Sequence, residues 1–169
     1  TNDGRKAALD MRNIAGLGAK DEPGSKVNLC INEIFETWSS TKDQRLTQLV
    51  FCDLSTPGNK VFSVYEDMRD KLVKLGVPSE EIAFAQDYTT DAKKTELHRK
   101  IRAGHIRVAF GSTELMGFGT NVQDRLVEEH QLDAPWKPRC VQQRDGRICR
   151  QGNMNAEVSI KRYVTEGSF

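Results

Sequence analysis

The sequence predicts an α/β domain in which a mainly parallel central sheet is flanked by helices, in three layers. Short apolar runs of strand length alternate with longer stretches of helical periodicity along most of the chain. Such alternation implies crossover connections, and crossovers make neighbouring strands parallel. The length of 169 residues suits one full-sized core and is too short for two ordinary domains.

Residues 3–13 predict a helix, with Asn2 or Asp3 as cap and Ala7, Ala8 and Met11 on one side. Residues 16–25, which hold Gly18, Pro23 and Gly24, predict a loop. Val27, Cys30, Ile31, Ile34, Phe35 and Trp38 recur at helical spacing and predict an amphipathic helix ending near Ser39. Residues 46–53 (LTQLVFCD) form a short apolar run and predict a strand. Helical periodicity returns over 61–75 through Val64, Met68, Leu72 and Leu75, and Gly76-Val-Pro78 stops it. Strands are expected at 82–85 and 106–110, separated by a charged helix at 92–103 that ends at Gly104. A weaker strand at 130–133 leads to a helix at 139–150, with Pro138 in its first turn. Residues 157–165 read as a last strand. A parallel sheet places its working loops at the carboxyl ends of its strands.

Hydrophobic content of 37% and charged content of 29% fit a globular domain. The net charge of +1, from 25 basic and 24 acidic residues, excludes a global electrostatic case for nucleic-acid binding and leaves only a local patch. No apolar run approaches membrane-spanning length and nothing reads as a signal peptide, so a cytoplasmic location without membrane contact is expected. Cys30, Cys52, Cys140 and Cys149 show neither C-x-x-C pairing nor a His at zinc spacing. Reduced, mostly buried thiols are expected, and no metal site. The chain starts at Thr1 without a Met and ends at Phe169 after a strand-like run, which reads as a piece of a longer protein.

The most informative segment is Gln142-Gln-Arg-Asp-Gly-Arg-Ile-Cys-Arg-Gln-Gly152. On a helix, Gln143, Arg147 and Arg150 fall at i, i+4 and i+7 and share one face. The planar guanidinium forks suit phosphate oxygens. Gly146 costs a helix about 1 kcal/mol relative to Ala, and close approach of a backbone or ligand would be a reason for it. A solvated basic helix face is the plainer alternative. Residues 111–123 hold three glycines, two of them Gly117 and Gly119, which allow positive φ and expose backbone N–H groups. Ser112 and Thr113 add hydroxyls, although a tight turn or a methyltransferase or dinucleotide loop has a similar look. Lys93, Lys94, Arg99, Lys100 and Arg102 cluster on one helix, but Asp91 and Glu96 between them equally suit a solvated face. No aromatic row suggests base stacking, which favours tracking along a duplex backbone.

The order Ser112-Thr-x-x-x-Gly117-x-Gly119-x-Asn121, then Asp133-x-x-Trp136-x-Pro138, then Gln143-x-x-Gly146-Arg147-x-x-Arg150-Gln-Gly resembles the second motor lobe of superfamily-two helicases, and most the Swi/Snf-like double-stranded DNA translocases. The resemblance spans nearly the whole chain, with its specific part between Ser112 and Gly152. It extends to the helicase segment of large phage and conjugative-element proteins that join a helicase to a methyltransferase-like domain. It implies a RecA-like lobe at 25–169, with residues 1–24 leading in from an absent first lobe. It further implies that Arg150 is an arginine finger on the γ-phosphate of ATP, with Arg147 its companion and Gln143 and Gly146 in the same motif VI. Gly119 and Asn121 are implied at the nucleotide and domain interface. Ser112 and Thr113 are implied on the DNA backbone, joined as candidate contacts by Ser55 and Thr56 after the motif IV-like strand, and by Lys94. Met116-Gly-Phe-Gly departs from the usual glycine pair of motif V. The Gly-x-x-x-x-Gly-Lys-Ser/Thr loop and the acidic box that hold ATP and Mg²⁺ are absent from this sequence. The expected partner is therefore an N-terminal motor lobe that holds most of the nucleotide, and this chain is expected not to hydrolyse ATP by itself.

Overall fold

A computed structural model describes residues 2–15, 18–58, 62–116, 121–135 and 137–165. The chain opens with two short helices, α1 (Asn2–Leu9) and α2 (Arg12–Ala15), followed by the long α3 (Lys26–Ser40). Ser25 starts α3 by accepting the Asn28 N–H on its hydroxyl, which satisfies one of the open donors of the first turn. Strand β1 (Thr47–Phe51) is followed by α4 (Val64–Leu75), capped by Ser63 and closed by left-handed Gly76. Then come β2 (Ile82–Phe84), α5 (Asp91–Arg102), β3 (Val108–Gly111) and α6 (Thr113–Met116). Strand β4 (Leu126–Gln131), helix α7 (Pro138–Ile148) and β5 (Ser159–Arg162) complete the order.

The five strands form one sheet in the order β2-β3-β1-β4-β5, and every neighbouring pair is parallel. Strand β1 is buried along its whole length because both faces are covered, as its unbroken apolar run requires. Val50 and Cys52 face one core with Ile34, Tyr65, Met68 and Leu72 from α3 and α4. Leu49 and Phe51 face the other, with Leu97, Ile101, Met116 and Ile148 from α5, α6 and α7.

Several expected elements are corrected. The helix expected at 3–13 is broken at Asp10, whose carboxylate binds the backbone N–H of Arg12 at 2.9 Å and its guanidinium at 2.7 and 3.0 Å. That local bond competes with helix propagation. Arg12 reaches on to Asp67 of α4 at 3.1 Å, which docks both short helices on the domain. The loop expected after β3 contains α6. The weak strand expected at 130–133 is β4, which starts four residues earlier and lies beside β1 inside the sheet.

Buried polar side chains concealed β4. Glu128, Glu129, His130 and Gln131 are all buried. A register shift opposite Thr47/Gln48 sends Leu126 to one core, after which Glu128 and His130 face α3. Gln48 donates through Nε2 to the Ile34 carbonyl, so its Oε1 is left to accept from His130 Nε2 at 2.9 Å. His130 Nδ1 then accepts from the Tyr163 hydroxyl at 2.8 Å, and burial lowers the ring's pKa. Glu128 accepts from Thr37 at 2.6 Å and pairs with Lys161 at 2.8 Å; burial opposes its charge, but His130, Lys161 and Thr37 pull its pKa down to about 2.

Candidate functional site

The strands β3, β1 and β4 end side by side, and the residues after them converge on one side chain. Asp53 follows β1, Ser112 and Thr113 follow β3, and Asp133 follows β4. From α7, the fully buried Arg144 donates Nε to Thr113 Oγ1 at 2.8 Å and one terminal nitrogen to the Asp133 carbonyl at 2.7 Å. Its other terminal nitrogen bridges Asp53 Oδ2 at 2.9 Å and Asp133 Oδ1 at 2.8 Å. Asp53 also accepts the Thr113 N–H at 2.6 Å and its hydroxyl at 2.9 Å. Asp133 Oδ2 accepts the N–H groups of Asp53 at 2.6 Å and Leu54 at 3.0 Å. Burial opposes the charge of Arg144, and the two carboxylates more than offset that, so its pKa is raised.

Arg147 lies one turn further along α7, half-buried, and its Nε donates to the Gln143 carbonyl at 3.2 Å. Burial lowers its pKa first, and the nearby charge of Arg150 lowers it further, against an opposing contribution from Glu129. Helix α7 ends at Ile148, so Arg150 stands beyond the helix rather than on the face expected to carry Gln143, Arg147 and Arg150 together. A side chain added at Gly146 would meet no described atom within 4 Å. No described part of the chain demands its smallness.

The candidate nucleic-acid contacts separate into committed and outward groups. The Ser55 hydroxyl accepts from the Val64 N–H at 3.0 Å and donates to the Phe62 carbonyl at 3.3 Å, so it holds its own loop. Thr113 is buried and its hydroxyl belongs to the Arg144 network. Ser112 and Thr56 are half-exposed at the same edge, and Ser112 Oγ accepts the Leu115 N–H at 3.3 Å. Asn121 is exposed, with its carbonyl accepting from Arg102 at 3.0 Å. On α5, Arg99 pairs with Glu96 at 2.8 Å, Lys100 with Glu96 at 3.6 Å and Lys94 with Asp91 at 3.8 Å. Gly117, Gly119 and Trp136 lie outside the described residues.

Sequence reasoning passed over Arg144 and Asp53. The signal for Arg144 was present: it occupies the same stripe of α7 as Cys140, Val141 and Ile148, and a cation on an apolar stripe needs buried partners. Lys26, at the start of α3, is a third omission; burial lowers its pKa, opposed by the charge of Asp133.

The fold is RecA-like. The C-terminal part of the Fun30 ATPase domain superposes with a TM-score of 0.66 over 89% of this chain and 44% of that structure, at 20% identity. Domain 2 of the DEAD-box helicase Mss116p, solved on an RNA duplex, gives 0.60 over 83% of this chain and 50% of that one, at 14% identity. The DUF1998 helicase MrfA, solved on DNA, gives 0.57 over 80% of this chain, 18% of its own length and 17% identity. This chain therefore spans half or less of each of these structures. No protein-family model matches the sequence, and no curated protein is recognisably similar to it. No described helix is long and apolar enough to cross a membrane. Among the described residues no group of three or more His, Cys, Asp or Glu is placed to hold a metal ion.

Proposed function

We propose that residues 25–169 are the second motor lobe of an ATP-dependent DNA helicase or translocase, with residues 1–24 leading in from a first lobe. The carrying observation is the arginine pair at the end of α7. Arg147 is half-buried beside the charge of Arg150, which together with burial lowers its pKa against an opposing contribution from Glu129, and a side chain at Gly146 would meet no described atom within 4 Å. The planar guanidinium forks of Arg147 and Arg150 match phosphate oxygens, and an anion between them favours both charges. Such arginines stabilise charge that develops during phosphoryl transfer. In this reading ATP with Mg²⁺ is held mainly by the first lobe, and this chain alone does not hydrolyse it. Gln143, Gly119 and Asn121 complete the nucleotide side, while Ser112 and Thr56 face the DNA backbone beside it. The Swi/Snf-like branch, and a setting in a large helicase–methyltransferase protein of a phage or conjugative element, extend the reading on the strength of the motif resemblance.

The strand order weighs against a Rossmann-type methyltransferase domain. There the second strand pairs with the first, whereas here β1 pairs with β3 and β4, and β2 stands at the edge. The deciding experiment joins this chain to its upstream lobe and measures DNA-stimulated ATPase with Arg150→Ala. A loss of about 10³-fold is expected. A wild-type rate overturns the assignment.

A further inference from the structure

We infer that Arg144 is a positioning residue that couples the phosphate-facing end of α7 to the nucleic-acid-facing loops after β1 and β3. The inference rests on the motor-lobe reading and names the connection inside it. One guanidinium holds four acceptors on three loops: Thr113 Oγ1, Asp53 Oδ2, Asp133 Oδ1 and the Asp133 carbonyl. The same helix carries Arg147 one turn later, so any shift that satisfies Arg144 moves the rim arginine as well.

Exposure within the network gives the direction of coupling. The Arg144 side chain is 0% exposed and that of Asp133 4%, whereas that of Asp53 is 29% exposed at the edge where Ser112 and Thr56 stand. Asp53 is thus the member that a phosphate backbone meets first. It holds the N–H and hydroxyl of Thr113, both donors of a kind that phosphate oxygens accept. An approaching phosphate repels the carboxylate and competes for those donors. The network then has two arrangements, Asp53 seated on Thr113 or displaced from it. Arg144 registers the difference directly, because it bonds to both residues. Two discrete arrangements biased by two ligands are what energetic coupling requires.

The test uses the two-lobe protein with linear duplex DNA as the probe, and compares ATPase rates with and without DNA. Lys in place of Arg144 keeps the charge but presents donors from one point and cannot span acceptors on three loops. Arg144→Lys is expected to lower the ratio of DNA-stimulated to basal kcat by about tenfold, within the usual 5- to 150-fold range of coupling. Basal kcat and KM for ATP are expected to stay within about twofold. Asp53→Asn, nearly isosteric, is expected to lower the same ratio by a smaller factor, and it decides the matter if Arg144→Lys does not fold. An unchanged ratio, or equal loss of basal and stimulated rates, overturns the inference and leaves Arg144 as a purely structural tie. Arg150→Ala run in parallel separates the two claims. A wild-type rate there overturns the motor reading and this inference with it. The expected defect there, alongside an unchanged ratio in the link variants, overturns the coupling alone.

Discussion

Replacing Glu129 with Gln should flatten the pH dependence of this domain's stability. Glu129 is fully buried in β4 beneath α7. Its Oε1 accepts from Gln131 at 2.6 Å and its Oε2 has no partner among the described residues. Burial, with a further contribution from Asp145, pushes its pKa from the ordinary 4.5 up to about 8. The folded state therefore keeps a proton that the unfolded chain releases, and stability falls as pH rises through the window from about 5 to about 8. At about 1.4 kcal/mol per pH unit, the gap corresponds to a ceiling of about 5 kcal/mol. Urea unfolding of both proteins from pH 5 to pH 9 measures it. The variant should match the wild type near pH 5, gain on it steadily, and hold a constant advantage above about pH 8. Burial also lowers the pKa of His130 and His98, which gives an opposite slope below 6.5, but that slope is common to both proteins and cancels in the difference. Glu128, pulled down to about 2, titrates below the window. A difference that stays constant from pH 5 to pH 9 would show that Glu129 titrates as an ordinary carboxyl, and would refute the reasoning.

Two further substitutions test how the fold is tied. Arg12→Met leaves the buried Asp10 and the half-buried Asp67 without their guanidinium, and should cost about 3 kcal/mol in urea unfolding, with early protease cleavage within α1 and α2 as they undock. Gly104→Ala places a Cβ 2.7 Å from the Arg45 carbonyl oxygen at φ +73°, and should cost about 1–3 kcal/mol in the same assay, where an Ala at an open position would change little.

Periodicity carried the fold class because most elements bury apolar side chains in regular order. The helices α3, α4 and α5, and the strands β1, β2 and β3, fall within a few residues of where alternation and helical spacing put them. It failed at β4, where Glu128, Glu129, His130 and Gln131 present no apolar pattern although the strand lies inside the sheet. Only tertiary partners make such a strand affordable: Thr37, Gln48, Tyr163 and Lys161 on one face, and Asp145 on the other. Those partners lie up to 91 residues away in sequence, beyond the reach of any local window. The break at Asp10 failed for the opposite reason, because a bond spanning only two residues outcompeted a helical pattern that ran straight through it.

The three arginines of α7 and its end show why a motif and a site are different objects. Arg144, Arg147 and Arg150 are chemically identical and separated by three residues each, yet they meet three environments. Arg144 follows the apolar stripe inward and is fully enclosed by Asp53, Thr113 and Asp133. Arg147 is half-buried at the rim, and Arg150 is carried out past the last helical turn. Spacing alone put Arg147 and Arg150 on a common helical face and gave Arg144 no role. Helix termination and the stripe's inward direction reverse that order: the residue with no assigned role is the one bonded to all three loops. In this chain the buried cation ties α7 to the loops after β1, β3 and β4, so the arginine that spacing left without a role is the one that anchors the helix.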